Sequence, residues 1–217
     1  MSGERYAAKG ERMSNLGKTY HVDPQFRESL RAAIDKARYD NVHLDPTARI
    51  SPLCNLIGSI HIGARTAVLA GALLRADFEP ITIADDSVIE DGVVIHGGKG
   101  HPVNIGEHTT IGHHCMLHGC TIGDNTLIGM NSCIMNNAVI GNNCLIGAGS
   151  LVTEDKVIPD RWMAYGHPVE LIRELTDEEI QDYITIGAES YLLLTEKMLE
   201  EGILENPADA RSVLEFL

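Results

Sequence analysis

Aliphatic residues recur every six positions along the middle of the chain, and this spacing constrains the fold more than any other feature. Six of them follow one another without a break: Ile122, Ile128, Ile134, Ile140, Ile146 and Val152. The same step occurs at Ile83, Ile89 and Ile95, and glycine often follows the aliphatic residue. An amphipathic helix would repeat its apolar face every three or four residues, and a strand every two. The six-residue step therefore fits neither an amphipathic helix nor an ordinary strand.

A triangular coil accounts for this step. Each side is a short strand of about six residues with one aliphatic side chain pointing inward, and three sides close a coil of about eighteen residues. Ile57 and Ile62 stand five apart, which we interpret as a slip within the same pattern. The pattern resembles the hexapeptide repeats of left-handed parallel β-helices, and this resemblance supplies the handedness. A sandwich of short strands is the alternative, but its turns rarely keep one spacing for so long.

The predicted fold is therefore mainly β, a left-handed parallel β-helix built from hexapeptide repeats with flanking α-helices. We divide the chain into an N-terminal extension with a helix (1–40), the β-helix (41–158) and a C-terminal helical segment (159–217). Asp23 and Pro24 predict the N-cap and first turn of a helix over 24–39. The β-helix is expected to end near Val157, where Pro159 interrupts it.

A second helix is predicted to start at Thr176, which forms a capping box with Glu179. Its apolar stripe is expected to comprise Ile180, Ile184, Gly187, Tyr191, Leu194 and Met198. A one-sided stripe needs a surface to cover, and we expect the coils of the same or a neighbouring subunit to provide it. A short final helix is predicted after Pro207.

Composition narrows the possible partners and the compartment. The net charge is -14, which argues against nucleic acid and anionic membrane surfaces because both attract clustered lysine and arginine. The five cysteines include no CxxC pair, the N-terminus lacks an apolar signal stretch, and no run reaches the roughly 18 apolar residues of a membrane span. We expect free thiols, a cytoplasmic location, and neither membrane nor nucleic-acid binding.

Histidines are concentrated in one part of the predicted β-helix. Both His96 and His118 directly follow an inward aliphatic residue, so they should point outward because side chains alternate along a strand. One coil and the loop at 97–103 separate them, which predicts one shared face and a possible shared metal ion. Surface histidines without a ligand are the alternative. His101 and His114 are assigned to the surface or to the surroundings of the site.

His113 stands five residues before His118, about 16 Å away along an extended strand. Zinc–nitrogen bonds of about 2.1 Å make it difficult for these two residues of one chain to bind the same ion. A neighbouring subunit in a threefold arrangement would resolve this, with His113 of one chain facing His96 and His118 of the next. Three neutral imidazoles with an open fourth position are typical of catalytic zinc.

Three stretches of the sequence resemble the gamma-class carbonic anhydrase family. They are LRADFEPITIADDSVIEDGVVIH (Leu74–His96), IGHHCMLHGC (Ile111–Cys120) and IGMNSCIMNNAVIG (Ile128–Gly141). Together they carry Arg-x-Asp, Asp-Gly-x-x-x-His and His-x-x-x-x-His, and the resemblance extends from about Asp45 to Tyr191. The MNSCIM stretch and the tail HPVELIRELTDEEI make the chain most similar to the phenylacetate-degradation and carnitine-operon branch.

The resemblance implies a homotrimer with zinc, or iron or cobalt, at each subunit interface. It assigns three metal ligands, His96, His113 and His118. It also implies an intersubunit ion pair of Arg75 and Asp77 near the metal, and it places Tyr191 close to the site. Considered without the family, Arg75 and Asp77 are two same-face charges on a strand and would form a solvated edge.

The chain departs from the family pattern at three positions. Glu90 stands where the family usually has Gln, Val88 where it often has Asn, and Ser190 where Asn often precedes the tyrosine. The usual Gln orients the water on the metal. Glu90 could accept the same hydrogen bond or act as a base, but its charge would raise the pKa of that water. The short loop Gly97–Gly100 replaces a long acidic loop.

The predicted function is a metalloenzyme resembling gamma carbonic anhydrase, in which a metal-bound hydroxide at a trimer interface hydrates CO2. Glu90, Arg75, Asp77 and Tyr191 are its predicted catalytic residues. Hydrolysis of an acyl-CoA thioester by the same metal site is the first alternative. A metal-free hexapeptide acyltransferase and a non-catalytic assembly subunit are the others, and the substrate is accordingly CO2/bicarbonate or acyl-CoA.

Overall fold

The structure is a computed structural model that describes Asp23, Gln25, Glu28 and residues 41–207. The first three belong to one compact unit (Met1–Lys36), and the others belong to a second (Ala37–Leu217).

Within the first unit, Gln25 and Glu28 are helical. Asp23 Oδ1 accepts a hydrogen bond of 2.7 Å from the Gln25 backbone N–H, as an N-cap does. The rest of the helix predicted over 24–39 and the short helix predicted after Pro207 lie outside the described residues.

The second unit is a parallel β-helix of about seven coils, which confirms the predicted fold class. Most of its strands contain two or three residues, because each strand is one side of a triangular coil. The strands are β1 (Val42–Leu44), β2 (Arg49–Ile50), β3 (Asn55–Ile62), β4 (Ala67–Val68), β5 (Leu73–Ile83), β6 (Val88–Ile89), β7 (Val94–His96), β8 (Val103–Ile105), β9 (Thr110–Ile111), β10 (Met116–His118), β11 (Thr121–Ile122), β12 (Leu127–Ile128), β13 (Cys133–Ile134), β14 (Val139–Ile140), β15 (Leu145–Ile146), β16 (Leu151–Val152), β17 (Val157–Ile158), β18 (Trp162–Gly166) and β19 (Val169–Glu174).

The coils stack so that three faces form. The first face has the order β2-β4-β6-β9-β12-β15-β18. The second face contains the first halves of β3 and β5, followed by β7, β10, β13 and β16. The third face contains β1, the second halves of β3 and β5, and then β8, β11, β14 and β17. Each residue therefore lies beside its counterpart in the coils before and after it.

The predicted inward aliphatic residues form the core. Ile122 to Val152, taken every six positions, are buried in one continuous cluster. The interpretation of Ile57 as part of this column is wrong, because Ile57 pairs with Arg75 and is not among the inward residues. Leu56 occupies the inward position instead. The six-residue step then continues without a slip from Ile50 through Leu56, Ile62 and Val68 to Leu74.

Corners of the coils require left-handed backbone, and asparagine often provides it. Asn125, Asn131, Asn137 and Asn143 have φ between 45° and 62° and themselves stand six residues apart. Asparagine tolerates this region better than other non-glycine residues. The repeat thus contains a turn residue as well as an aliphatic one.

Buried hydroxyl groups connect the coils at one corner. The Thr109 hydroxyl donates to the Gly123 carbonyl at 2.8 Å, and the Thr126 hydroxyl donates to the Gly141 carbonyl at 2.9 Å. Each hydroxyl oxygen also accepts a backbone N–H from the next coil. These polar groups are buried with their hydrogen bonds satisfied, so the narrow core tolerates them.

The stack continues past Pro159, beyond the end expected from the sequence. β18 pairs in parallel with β15 and adds one more side to the first face. Pro159 lies between β17 and β18, at a corner, where a missing N–H removes no ladder hydrogen bond. β19 then pairs antiparallel with β18.

The C-terminal helix begins with the predicted capping box of Thr176 and Glu179, which is confirmed. It consists of a helical turn α1 (Asp177–Glu179), a π-helical segment (Ile180–Thr185) and the helix α2 (Ile186–Glu200).

The predicted stripe of this helix is partly wrong. Its buried residues are Ile180, Ile184, Ala188, Leu192 and Thr195. Leu194 is half exposed, and Ala188 rather than Gly187 faces the coils. The π-helical segment widens one turn, so positions extrapolated at ordinary helical spacing rotate away from the contact. The helix covers the first face, where Leu192 packs with Ala67, Leu69 and Val88.

All five cysteines are free thiols, as predicted. Burial raises the pKa of Cys120 to about 12 and that of Cys115 to about 11, so both thiols stay protonated at neutral pH. No helix in the described part of the chain is both long and apolar enough to cross a membrane.

If inward aliphatics hold the coils together, Ile140→Ala should lower the free energy of unfolding by about 2–5 kcal/mol, since it leaves a cavity in a column that cannot collapse. Ile172→Ala is the matched control, because Ile172 is 41% exposed whereas Ile140 is 1% exposed. The control should change stability by no more than about 0.5 kcal/mol. Chemical denaturation measures both, and equal losses would contradict this account of the core.

Candidate functional site

The regular coil is interrupted at the corner between the second and third faces. His96 and His118 are register partners in β7 and β10. Eight residues lead from His96 to Asn104 on the third face, but only three lead from His118 to its partner Thr121. The additional residues form a small lip at 97–102.

This lip lies against the site. The Gly100 N–H donates to Glu79 Oε1 of the preceding coil at 2.9 Å. Gly98 packs on the His118 ring so closely that a Cβ there would lie 2.7 Å from Cε1. A side chain at position 98 would therefore displace the imidazole.

A chain of polar contacts runs across the coils at this corner. Arg75 pairs with Asp77, whose Oδ1 lies 2.9 Å from His96 Nε2. His96 Nδ1 lies 2.9 Å from His118 Nε2, and His118 Nδ1 lies 2.6 Å from Asn136 Oδ1. We call these five residues the paired-histidine edge. The prediction that His96 and His118 share one face, one coil apart, is thus confirmed.

Counting hydrogens shows what this edge lacks. Three contacts in a row, from Asp77 through His96 and His118 to Asn136, each need one hydrogen between acceptor atoms. Two neutral imidazoles supply only two N–H groups. If both outer contacts are satisfied, His96 Nδ1 and His118 Nε2 face each other as two unshared pairs. A cation between or beside these nitrogens removes the repulsion, so the pair fits a metal ion.

The carboxylate at the end of this edge stays ionised. Burial alone would raise the pKa of Asp77, but hydrogen bonding to His96 and the charge of Arg75 outweigh it and hold the pKa below its usual range. Asp77 thus remains an acceptor for His96. Arg75 and Asp77 pair within one chain here, whereas the resemblance implied a pair between subunits.

His113 lies at a different corner, between the first and second faces. Its Nε2 is 3.2 Å from Glu90 Oε2 and its Nδ1 is 3.3 Å from Asp91 Oδ2. We call His113, Glu90, Asp91 and Tyr191 the single-histidine edge. Two carboxylates beside one half-exposed imidazole create a local field that attracts cations.

Glu90 is the most unusual group of this edge. It is 3% exposed, and its Oε2 accepts the His113 backbone N–H at 2.8 Å. Its Oε1 is buried without a hydrogen-bond partner of regular geometry among the described residues. A buried carboxylate oxygen without such a partner is costly, which marks it as a functional candidate.

Tyr191 reaches this edge from α2. Hydrogen bonding to the Glu90 carboxylate, and then burial, raise the pKa of Tyr191 to about 12. The helix is fixed near this point because buried Arg49 donates from Nη1 to the Leu192 carbonyl at 2.5 Å and to the Thr195 hydroxyl at 2.9 Å. The interaction of His108 with Glu189 at 3.2 Å adds a second anchor.

The structure explains two departures from the family pattern. Val88 is fully buried and packs against Leu192, so an apolar residue there supports the helix. The Ser190 hydroxyl donates to the Ile186 carbonyl one turn earlier and points along the helix.

The predicted metal ligands are only partly assembled in one chain. No group of three or more potential ligands occurs within the part of the chain that the structure describes. His96 and His118 lie together, while His113 lies at the other corner of the second face. His114 takes a left-handed corner position, and His101 contacts Asn137. Sequence reasoning missed Asn136, although its place one coil beyond His118 could have indicated it.

Comparisons with known proteins agree with this description. A family model described as bacterial transferase hexapeptide (six repeats) matches residues 119–154, and one described as hexapeptide repeat of succinyl-transferase matches residues 102–134. A "probable carbonic anhydrase" of Methanocaldococcus jannaschii is 43% identical over 155 residues, which are 71% of this chain and 97% of that protein. The chain belongs to the gamma carbonic anhydrase family.

Other members of this family extend the match. Gamma carbonic anhydrase 1, mitochondrial, of Arabidopsis thaliana is 32% identical and aligns with 95% of this chain and 76% of its own. The carnitine operon protein CaiE of Escherichia fergusonii is 36% identical, over 63% of this chain and 69% of its own. The predicted family is thus confirmed.

Among solved structures, a hexapeptide transferase family protein from Anaplasma phagocytophilum is similar to this family member. It has a TM-score of 0.68 and 35% identity, over 72% of this chain and 92% of its own. That protein is named a transferase, so the fold alone leaves the chemistry open.

Glu90→Gln should lower the pKa of Tyr191 from about 12 towards its ordinary value of 10.0, because the carboxylate that favours the neutral phenol is removed. A raised pKa in the folded state contributes stability below about pH 10, and this contribution is lost as pH rises towards 12. Ultraviolet titration measures the pKa, with Tyr191→Phe identifying the signal. An unchanged pKa in Glu90→Gln would contradict the assigned contact.

Proposed function

We propose that the protein is a metalloenzyme of the carbonic anhydrase type that hydrates CO2 at a metal site shared between subunits. The observation that carries this proposal is the paired-histidine edge, where Asp77 Oδ1 and Asn136 Oδ1 are placed to accept the two N–H groups that neutral imidazoles supply. If both accept, His96 Nδ1 and His118 Nε2 face each other at 2.9 Å with no hydrogen between them.

A ring of three chains supports a complete site. The second face separates the paired-histidine edge from the single-histidine edge, so one chain offers each half at a different corner. A closed ring repeats one interface, in which one edge of each chain meets the other edge of the next. His96 and His118 of one chain and His113 of its neighbour would then bind zinc, with iron or cobalt as substitutes.

Three imidazoles would leave one position on the metal open, and a zinc ion held there would lower the pKa of its bound water to about 7 and so supply a nucleophile for CO2. Glu90 Oε2 lies 3.2 Å from His113 Nε2, and the other carboxylate oxygen, Oε1, would be free to accept a hydrogen bond from the reacting water. Tyr191 keeps its proton and donates towards the same carboxylate. Asp77 orients His96, and half-exposed Arg75 offers a cation to bicarbonate or to the neighbouring chain.

Two alternatives use the same fold. Hydrolysis of an acyl-CoA thioester would need the same metal site and a larger pocket, and it is what the sequence resemblance to the phenylacetate-degradation branch implies. A metal-free acyltransferase is favoured by the transferase description of the solved relative. An acyltransferase of this kind would not need His113. Substitution of His113 therefore distinguishes it from CO2 hydration and from thioester hydrolysis, which both need the metal.

Purified protein should contain about one zinc, iron or cobalt ion per chain, and His113→Asn should lose it, since three ligands are needed for tight binding. His114→Asn is the matched control, because asparagine tolerates the left-handed backbone at that neighbouring position. Elemental analysis measures metal, and CO2 hydration and thioester hydrolysis are assayed on the same samples. A metal-free wild type, or metal retained in His113→Asn, would contradict the proposal.

A further inference from the structure

The paired-histidine edge continues one coil beyond His118. Asn136 Oδ1 lies 2.6 Å from His118 Nδ1, and Asn136 Nδ2 donates to Glu154 Oε1 at 3.1 Å. Gly119 makes this approach possible, because a Cβ at that position would lie 2.7 Å from Asn136 Oδ1. The asparagine is thus held between an imidazole and an exposed carboxylate.

The carboxylate decides which way the amide points. An ionised carboxylate only accepts hydrogen bonds, so the amide must turn its NH2 towards Glu154 and its oxygen towards His118. That oxygen in turn requires a hydrogen on His118 Nδ1. In a neutral imidazole the unshared pair is then on Nε2, the nitrogen that faces His96.

We propose that Asn136 and Glu154 are positioning residues that fix the His118 tautomer and so leave Nε2 unprotonated for a cation. The inference deepens the proposed function, since it rests on the metal site described there. Partners of this kind fix ring orientation and ligand basicity, and their loss typically weakens metal affinity 10–100-fold. Glu154 does not contact His118 in this ladder and acts by orienting the Asn136 amide.

A second ladder one residue further along provides a comparison. His101 Nδ1 lies 2.8 Å from Asn137 Oδ1, and Asn137 Nδ2 donates to Asp155 Oδ1 at 3.0 Å. The chemistry is the same, but His101 is not one of the proposed ligands. If these ladders only stabilise the coils, damage to either should have similar effects. If the first one sets a ligand tautomer, only its damage should alter metal binding.

The test measures zinc affinity of the full chain by competition with a chelator. Asn136→Leu should weaken binding about 10–100-fold, and Glu154→Gln should weaken it less, because a glutamine no longer forces the amide orientation. Asn136→Asp, unlike Asn136→Leu, should keep zinc affinity near that of wild type, since its carboxylate still accepts a hydrogen bond from His118 Nδ1. The double variant that combines Asn136→Asp with Glu154→Gln should also keep the wild-type zinc affinity. Asp155→Asn is the matched control and should leave affinity unchanged.

A second measurement separates this inference from the proposed function. Nitrogen-15 spectra of histidine in the metal-free protein report which ring nitrogen of His118 carries the hydrogen. Wild type should show it on Nδ1, and Asn136→Leu should show a mixture or a switch to Nε2. If wild-type protein shows the hydrogen on Nδ1 but binds no metal, the proposed function is overturned and the tautomer assignment stands. An unchanged signature and affinity in Asn136→Leu would overturn the inference.

Discussion

Register stacking of the coils is the constraint on which the rest of the molecule depends. Each coil buries one aliphatic side chain per side, and that burial requires the next coil to lie directly above it. The outward residues are therefore held in register as well, although nothing in the core chooses them. Arg75, His96 and His118 occupy consecutive coils of one ladder for this reason. The repetitive core thus brings the two imidazoles to within hydrogen-bond distance, and Gly98 of the lip packs against one of them.

The candidate functional groups lie where the repeat is interrupted or where a buried polar atom lacks a regular partner. The lip at 97–102 interrupts the coil beside the two facing imidazoles, and Glu90 buries an oxygen without a regular partner at the opposite corner. The C-terminal helix crosses the first face and carries Tyr191 to that same corner. In one chain, two imidazoles therefore lie at one corner of the second face and His113 lies at the other, which is the arrangement that the proposed shared site requires.

Much of this could be predicted from the sequence. The six-residue step predicts the coil, and alternation along a strand places His96 and His118 together. The inward position was misassigned at Ile57 because Leu56 and Ile57 are both apolar, although the unbroken six-residue step from Ile50 through Leu56 to Ile62 indicates Leu56. The predicted buried face of the C-terminal helix was wrong at Leu194, because a π-helical turn has no clear sequence signal. Asn136 was missed because its contact depends on the next coil, not on its neighbours in sequence.

The most direct test of the shared site mixes two defective chains. His113→Asn and His118→Asn should each bind little metal alone. Trimers formed at random from equal amounts should regain about a quarter of the wild-type metal per chain, because one interface in four then joins two intact halves. Differently tagged chains establish that mixing occurred. Recovery of this metal, with activity, is the predicted result, and mixed trimers that bind no more metal than their parents would contradict the account.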